Sequence, residues 1–381
     1  MTRRGALGAS GLVLVALVAL LAVGPGRVRN AYGSWATNLR TTAEAVPAAG
    51  LQTETAPPGA GSLLIAVADE GEGAAFALLT TQEDGAAVVV VIPADLYDLV
   101  PGYGTFPLSS ALAFEGTDLA ALVVSNAVGV TVDAVVAIEG GAISDLLGDD
   151  VAVDLSSDLE VEQPDGTLVR LAAAGNALRT PETVGQLFTT RGRGELLLHL
   201  ERQAATWEGF VHAVASHPRA AADFAAGSSN PELAAGLLAA ASDLTVTLVP
   251  VARVGSGEAE GFEVELAEVA DFVNRRLPHL ALAPGVRPAV EILNGNGRLR
   301  TTRAVADALV ARGFRVIRTD NAEHFDFPQT IVLGHGEPNT EAAREVVRAL
   351  GVGDLRLELA TPSGIVDVSI IVGHDVPAGE G

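Results

Sequence analysis

The sequence contains no cysteine and no lysine; all 24 of its basic residues are arginine, set against 47 aspartates and glutamates for a formal net charge of −23. Without cysteine there is no disulfide, no thiolate zinc site and no cysteine nucleophile. So acidic a chain is a poor partner for nucleic acid, whose phosphates are bound by cationic surfaces. Its seven histidines show no HExxH or comparable ligand spacing, and Ser109-Ser110 and Ser156-Ser157 lack the context of a nucleophile elbow. The largest absence is regional. Residues 41–169 run 129 positions without a basic residue while carrying 21 acidic ones. A phosphoryl group is held by guanidinium forks, ammonium groups, helix N-termini or a metal ion, and this stretch supplies neither of the first two.

What is present begins with an apolar run. Gly5–Gly24 is uncharged and follows Arg3 and Arg4. At about 1.5 Å per residue it reaches roughly 30 Å, the thickness of a bilayer core. Pro25 is a poor residue just after a cleavage site, which favours an uncleaved anchor over a signal peptide. The expected organisation is a cytoplasmic tip and single-pass transmembrane helix over 1–26 and a Gly/Pro/Thr/Ala-rich stalk over 27–60. The bulk of the chain then lies outside the cytoplasm, with a larger domain over 61–277, a linker over 278–286, a small domain over 287–376 and a tail over 377–381.

Periodicity predicts strands at Leu63–Ala68, Ala75–Thr80, Ala87–Ile92, Thr131–Ile138, Val151–Leu155, Leu159–Val161, Leu244–Val251 and Phe262–Leu266. Helices are expected at Leu119–Ala127, Ile143–Leu147, Glu195–Ser216 and Pro231–Ala241. In the long helix, Leu196, Leu200, Ala204, Trp207, Val211 and Val214 form one apolar stripe, which places Glu195, His199 and Arg202 on the opposite, polar side. The remainder alternates strand and helix: Val290–Leu293, Thr302–Arg312, Phe314–Ile317, Thr330–Leu333, Thr340–Leu350 and Val366–Val372. The fold class is α/β, with a mixed-sheet domain followed by a smaller α/β (α+β) unit.

The smaller unit resembles the LytR C-terminal domain of cell-envelope proteins. The resemblance is carried by Val290-Glu291-Ile292-Leu293-Asn294-Gly295-Asn296-Gly297, by Ala304–Leu309 running into Gly313-Phe314, by Pro328–Val332 and by Val366–Asp375. Asn294–Gly297 reads as a turn after a strand, with a phosphate-cradling loop as the sharper alternative. Seven arginines between Arg287 and Arg318 make this the most basic part of the chain. They read as a solvated face paired with Glu291 and Asp307, or as a docking face for an anionic wall polymer.

The domain over 61–277 resembles, in divergent form, the LytR–CpsA–Psr family. Members of that family attach glycopolymers to peptidoglycan from a polyprenyl pyrophosphate carrier, gripping the pyrophosphate with arginines and a metal-binding aspartate. The family's Ile-Pro-Arg-Asp motif is here Ile92-Pro93-Ala94-Asp95, so the aspartate is kept and the arginine is not. A second motif begins as Arg191-Gly192-Arg193 and ends as Glu201-Arg202-Gln203. Its spacing is about two residues short, His199 stands at an expected arginine, and Leu196–Leu198 replace acidic residues.

The resemblance therefore implies a pyrophosphate and metal site at Asp95, Arg191, Arg193 and Arg202, with Asp95 as the Mg2+ ligand. An active enzyme would be a Mg2+-dependent phosphotransferase. A degenerate relative would bind a polyprenyl phosphate lipid, an anionic wall polymer or a partner protein, with no cofactor. A purely structural envelope protein is the third reading. Pyrophosphate departure depends on stabilising charge, and the missing arginine favours the degenerate reading.

Overall fold

The computed structural model describes residues 61–82, 84–255, 260–358 and 364–376. The membrane span expected at Gly5–Gly24 and the stalk lie outside them, and among the described residues no helix is long and apolar enough to cross a membrane. In chain order, β1 (Ser62–Asp69), β2 (Glu72–Thr81) and β3 (Ala87–Ile92) precede a hairpin of β4 (Tyr97–Val100) and β5 (Gly104–Pro107), then α1 (Leu108–Glu115) and α2 (Thr117–Val128). Next come β6 (Ala134–Glu139), α3 (Ile143–Leu147), β7 (Val151–Leu155), β8 (Leu159–Glu162), β9 (Leu168–Ala172) and β10 (Gly175–Arg179). The helices α4 (Pro181–Thr189), α5 (Leu196–Ser216), α6 (Pro218–Ala226) and α7 (Pro231–Ala239) follow, then β11 (Leu244–Leu248), β12 (Val251–Val254), β13 (Gly261–Val264) and α8 (Leu266–Arg276). The smaller domain contains β14 (Ala289–Asn294), α9 (Thr301–Val310), β15 (Arg315–Asn321), β16 (Ile331–His335), α10 (Thr340–Leu350), β17 (Asp354–Glu358) and β18 (Val368–Val372).

The larger domain is built on a five-stranded mixed sheet, ordered β11-β3-β2-β1-β6. β1, β2 and β3 run antiparallel to one another in turn, while β6 joins β1 and β11 joins β3 in parallel. Every residue of β3 is buried, as its unbroken apolar run requires for a strand covered on both faces. The expected strand over 244–251 is split: β11 ends at Leu248 and β12 begins after Pro250, whose missing N–H cannot continue the ladder.

The long helix corrects one expectation. Its apolar stripe is buried as predicted, Ala204 only partly, but His199 and Arg202 are buried too, at 9 % and 1 % exposure. α5 packs against β3 and β11 of the central sheet and also against β7 of the separate β7–β10 pair. A second layer therefore covers the side that helical periodicity assigned to solvent. At Gly209 the approach leaves no room for a side chain: an added Cβ would stand 2.5 Å from the Ala152 carbonyl oxygen.

The smaller domain carries its own five-stranded sheet, ordered β15-β14-β18-β16-β17, with only β16 and β18 antiparallel. Its basic segment does not form a free surface. Arg318 meets Glu291 at 3.5 Å and Arg303 meets Asp307 at 3.1 Å, as the sequence suggested. Four of the seven arginines, however, turn onto the larger domain. Arg300 and Arg303 reach Glu115 at 3.5 and 3.2 Å, and Arg315 reaches both oxygens of Asp98 at 3.1 and 3.2 Å. Arg287 donates to the carbonyls of Ser125 and Asn126, and Arg315 to those of Asn126 and Ala127.

Those carbonyls end α2, where helix geometry leaves acceptors without intrahelical donors and the macrodipole is negative. The last turn of α2 has no basic residue of its own. Gly129 closes it with a left-handed φ of 86°, and an added Cβ there would stand 3.1 Å from the Arg287 guanidinium. Burial, followed by the neighbouring Arg315 charge, pushes Arg287 down to about 10, which still leaves it protonated at neutral pH. The side-chain amide of Asn126 adds a further link. It donates to the Val316 carbonyl and accepts from the Val316 N–H, both at 2.8 Å, extending the sheet by one rung beyond its edge strand β15. The segment between the domains is stitched down as well: Thr131 donates to Leu280 and Leu282 donates to Gly129.

Candidate functional site

Asp95 and Arg191 come together where β3 ends. Asp95 follows the strand in a turn, and its backbone carbonyl accepts the Phe262 N–H at 2.9 Å from β13. Gly261 packs so closely that an added Cβ would meet the Asp95 carbonyl at 2.6 Å and the Tyr97 ring at 2.5 Å. Glu260 is thereby fixed beside Asp95. Burial raises the Asp95 carboxyl, opposed by the Arg191 charge and reinforced by Glu260. Arg191, from the loop between α4 and α5, is thus close enough for its field to reach Asp95.

The arginines are already engaged. Arg191 pairs with Glu260 at 3.0 Å; Arg253, on β12, pairs with the other Glu260 oxygen and with Glu195 at 3.1 Å. Arg202 points inward, donating to Ser157 Oγ at 3.1 Å and to the Arg191 carbonyl at 2.7 Å. It braces the loop that carries Arg191 and does not face a ligand space. Gln203, the last residue of the motif, is likewise structural, donating to the carbonyls of Ala74 and Phe188. Arg193 is exposed, and its side chain has no hydrogen-bonded or ion-paired partner among the described residues.

His199 occupies the place where the resemblance expects an arginine. Burial, then the charges of Arg202 and Arg191, lower it from 6.5 to about 4, so the imidazole is neutral at pH 7. Its Nδ1 is buried with no hydrogen-bond partner. Ala94 and neutral His199 together leave the site two cations short of the motif. The folded state resists protonation that the unfolded chain accepts near pH 6.5, so stability is unaffected above that pH and falls as pH drops from 6.5 toward 4. The shift corresponds to about 3 kcal/mol. Urea denaturation at pH 7, 5.5 and 4 is expected to show this acid loss, and His199→Gln to lack most of it; an equal loss in both proteins would rule His199 out as its source.

The Mg2+ implied by the resemblance requires at least one charged, accessible carboxylate, completed by water and phosphate oxygens. Asp95 is half-buried with a raised pKa, and its acidic neighbour Glu260 is held by two arginines. No group of three or more His, Asp or Glu side chains among the described residues is placed to hold a metal ion. Among the described residues Asp95 would be the Mg2+ ligand, with the Arg191 charge beside it opposing a divalent cation.

The sequence did not single out Arg253 or Glu260. The alternation flanking residues 255–260 carried the signal of a hairpin, but not its contact with Asp95. The phosphate-loop alternative at Asn294–Gly297 is answered locally. Asn294 Oδ1 accepts the N–H groups of Asn296 and Gly297, while Asn296 bonds Arg298, Thr301 and Gly373. The polar groups of the loop serve the turn itself.

Fold and site define a two-domain α/β protein with a neutralised arginine–carboxylate cluster at the end of its central strand. Residues 287–375 match the family model described as LytR cell envelope-related transcriptional attenuator. Similar solved structures include a LytR-Csp2A-Psr enzyme from Actinomyces oris, 17 % identical over 60 % of this chain and 94 % of that one, with a TM-score of 0.46. B. subtilis TagT is 20 % identical over 60 % of this chain and 95 % of its own, with a TM-score of 0.47. A further structure, the LytR-CPS2A-psr family protein YwtF (TagT) with bound octaprenyl pyrophosphate lipid, gives 20 %, 60 %, 94 % and 0.47. At such identities and overlaps the likeness says nothing of this chain's activity. No curated protein sequence matches the chain.

Proposed function

We propose that this chain is a membrane-anchored, extracytoplasmic cell-envelope protein of the LytR–CpsA–Psr type that binds a polyprenyl phosphate lipid or an anionic wall polymer without transferring it. One observation carries this reading. Every cation the resemblance assigns to the pyrophosphate, apart from Arg193, is replaced, neutralised or turned inward: Ala94 and His199 carry no charge, Arg191 is paired with Glu260, and Arg202 is spent on Ser157 and a backbone carbonyl. Removing one preorganised donor from a site that stabilises developing charge costs about 3–4 kcal/mol of barrier, and two such losses leave little turnover. Exposed Arg193 and half-exposed Arg191 remain as a rim able to attract a phosphoryl group, which requires only ground-state contact.

The test uses the full-length chain in detergent. Polyprenyl phosphate is expected to co-purify and to be identified by mass spectrometry of the extracted lipid. A lipid-linked glycan donor is expected to be bound but not consumed when Mg2+ is added. Mg2+-dependent consumption of the donor, abolished by Arg191→Ala, would overturn the binding reading in favour of the active phosphotransferase.

A further inference from the structure

Two guanidinium groups from separate elements converge on one carboxylate at the rim of the candidate site. Arg191 Nη2 lies 3.0 Å from Glu260 Oε2, and Arg253 Nη2 contacts Oε1. The Glu260 side chain is only 15 % exposed, against 44 % for Arg191 and 48 % for Arg253. The carboxylate thus sits beneath the two cations, in the position that an oxyanion held by both would take. Its place is set by the backbone that follows it, where Gly261 packs directly against the Asp95 carbonyl and the Tyr97 ring, and Phe262 is hydrogen-bonded to the Asp95 carbonyl. The paired hydrogen bonds draw Glu260 below the usual carboxylate range, Arg253 first and Arg191 after it. Glu260 is therefore a permanent anion at neutral pH.

We propose that Glu260 is a built-in competitor which masks an anion site formed by Arg191 and Arg253. The site takes a phosphoryl group, whose tetrahedral oxygens accept the same two forks. The masking rests on the reading of this rim as a phosphoryl-binding surface and adds to it the identity of the internal competitor and of Arg253 as the second cation. Ion pairs between exposed arginines and a carboxylate contribute little net stability in water. An incoming group with more negative charge can therefore displace Glu260, whereas a monoanion gains nothing by the exchange. Arg253 also holds Glu195, which keeps its guanidinium near the rim once Glu260 is displaced.

The experiment compares the full-length wild type with Glu260→Gln and with the double variant Glu260→Gln/Arg253→Gln. Inorganic pyrophosphate is titrated by calorimetry, and flotation is measured on phosphatidylcholine vesicles with and without polyprenyl phosphate. Glu260→Gln is expected to bind tighter than wild type by about tenfold or more, with a steep salt dependence. The double variant is expected to return to the wild-type level. A gain with pyrophosphate alone assigns the site to a free anion, and a gain with the lipid alone assigns it to a headgroup; both support masking. No gain with either probe, in a variant whose thermal melt matches wild type, overturns it. Should Glu260→Gln fold poorly, Glu260→Asp retains the charge but shortens its reach, and is expected to give a smaller gain in the same assays; its absence counts equally against masking. Lipid retained by wild type with no gain in Glu260→Gln sinks the masking alone. A gain in Glu260→Gln to pyrophosphate, with lipid never retained, sinks the lipid-binding reading alone.

Discussion

Arg315→Ala is expected to destabilise the protein by about 3–5 kcal/mol, because it strips the partner from a carboxylate held out of water. Asp98 is 7 % exposed, and burial already drives its carboxyl upward despite the opposing pull of Arg315. Without that pull only the Leu99 N–H remains as its hydrogen-bonding donor among the described residues. The same substitution frees the Ala127 carbonyl at the end of α2 and leaves that of Asn126 to Arg287 alone. Urea denaturation measures the loss. The converse variant, Asp98→Leu with Arg315→Met, removes both charges at similar volume and is expected to recover most of the stability, since a buried ion pair gains little over a packed apolar pair. A single variant within about 1 kcal/mol of wild type would mean that water reaches Asp98 and that the contact between the domains is loose.

The second large effect is expected at Arg202. Arg202→Ala removes one of the largest fully buried side chains and two hydrogen bonds, for a loss of about 3–4 kcal/mol. Arg202→Met fills the space without a charge and is expected to stay within about 1–2 kcal/mol of wild type. Burial pulls the Arg202 guanidinium below its ordinary pKa, so the charge itself is no asset to the fold. The pair of variants separates the two roles in dispute. A residue that brings charge to a ligand would lose binding in both variants and stability in neither. A brace for the Arg191 loop loses stability in Ala and regains it in Met.

Much of the fold was legible. Ala87–Ile92, Ile143–Leu147, Val151–Leu155 and Thr340–Leu350 begin and end where the sequence pattern placed them, because each is a clean apolar or amphipathic period stopped at one end by Gly, Asp or Pro. The helices α1, α4, α6 and α8 were missed; α1 has eight residues and buries only Leu108 and Ala111. α4 and α6 are nine-residue segments whose alanines, glycine and threonines blur the stripe, and α8 buries only Val269 and Val273 between charged turns. The clustering of Asp95 with Arg191 was implied by motif order, and Arg202 came out buried because the β7–β10 layer that covers it is remote in sequence. Glu260 and Arg253 were silent for the same reason. Their significance comes from one hairpin packing on one turn, across more than 150 residues of chain.

The basic-free stretch has a structural consequence at α2. A helix whose own domain offers no cation to its C-terminal carbonyls borrows two from the next domain, and Asn126 closes the open margin of the sheet that lends them. The loan makes the C-terminal domain hard to exchange. A substitute lacking arginines at the positions of Arg287 and Arg315 would strand those carbonyls and Asp98 together, while the excised domain would present β15 as a bare hydrogen-bonding template for a second copy of itself. The two domains are therefore coupled through one helix end, however separable they look in sequence.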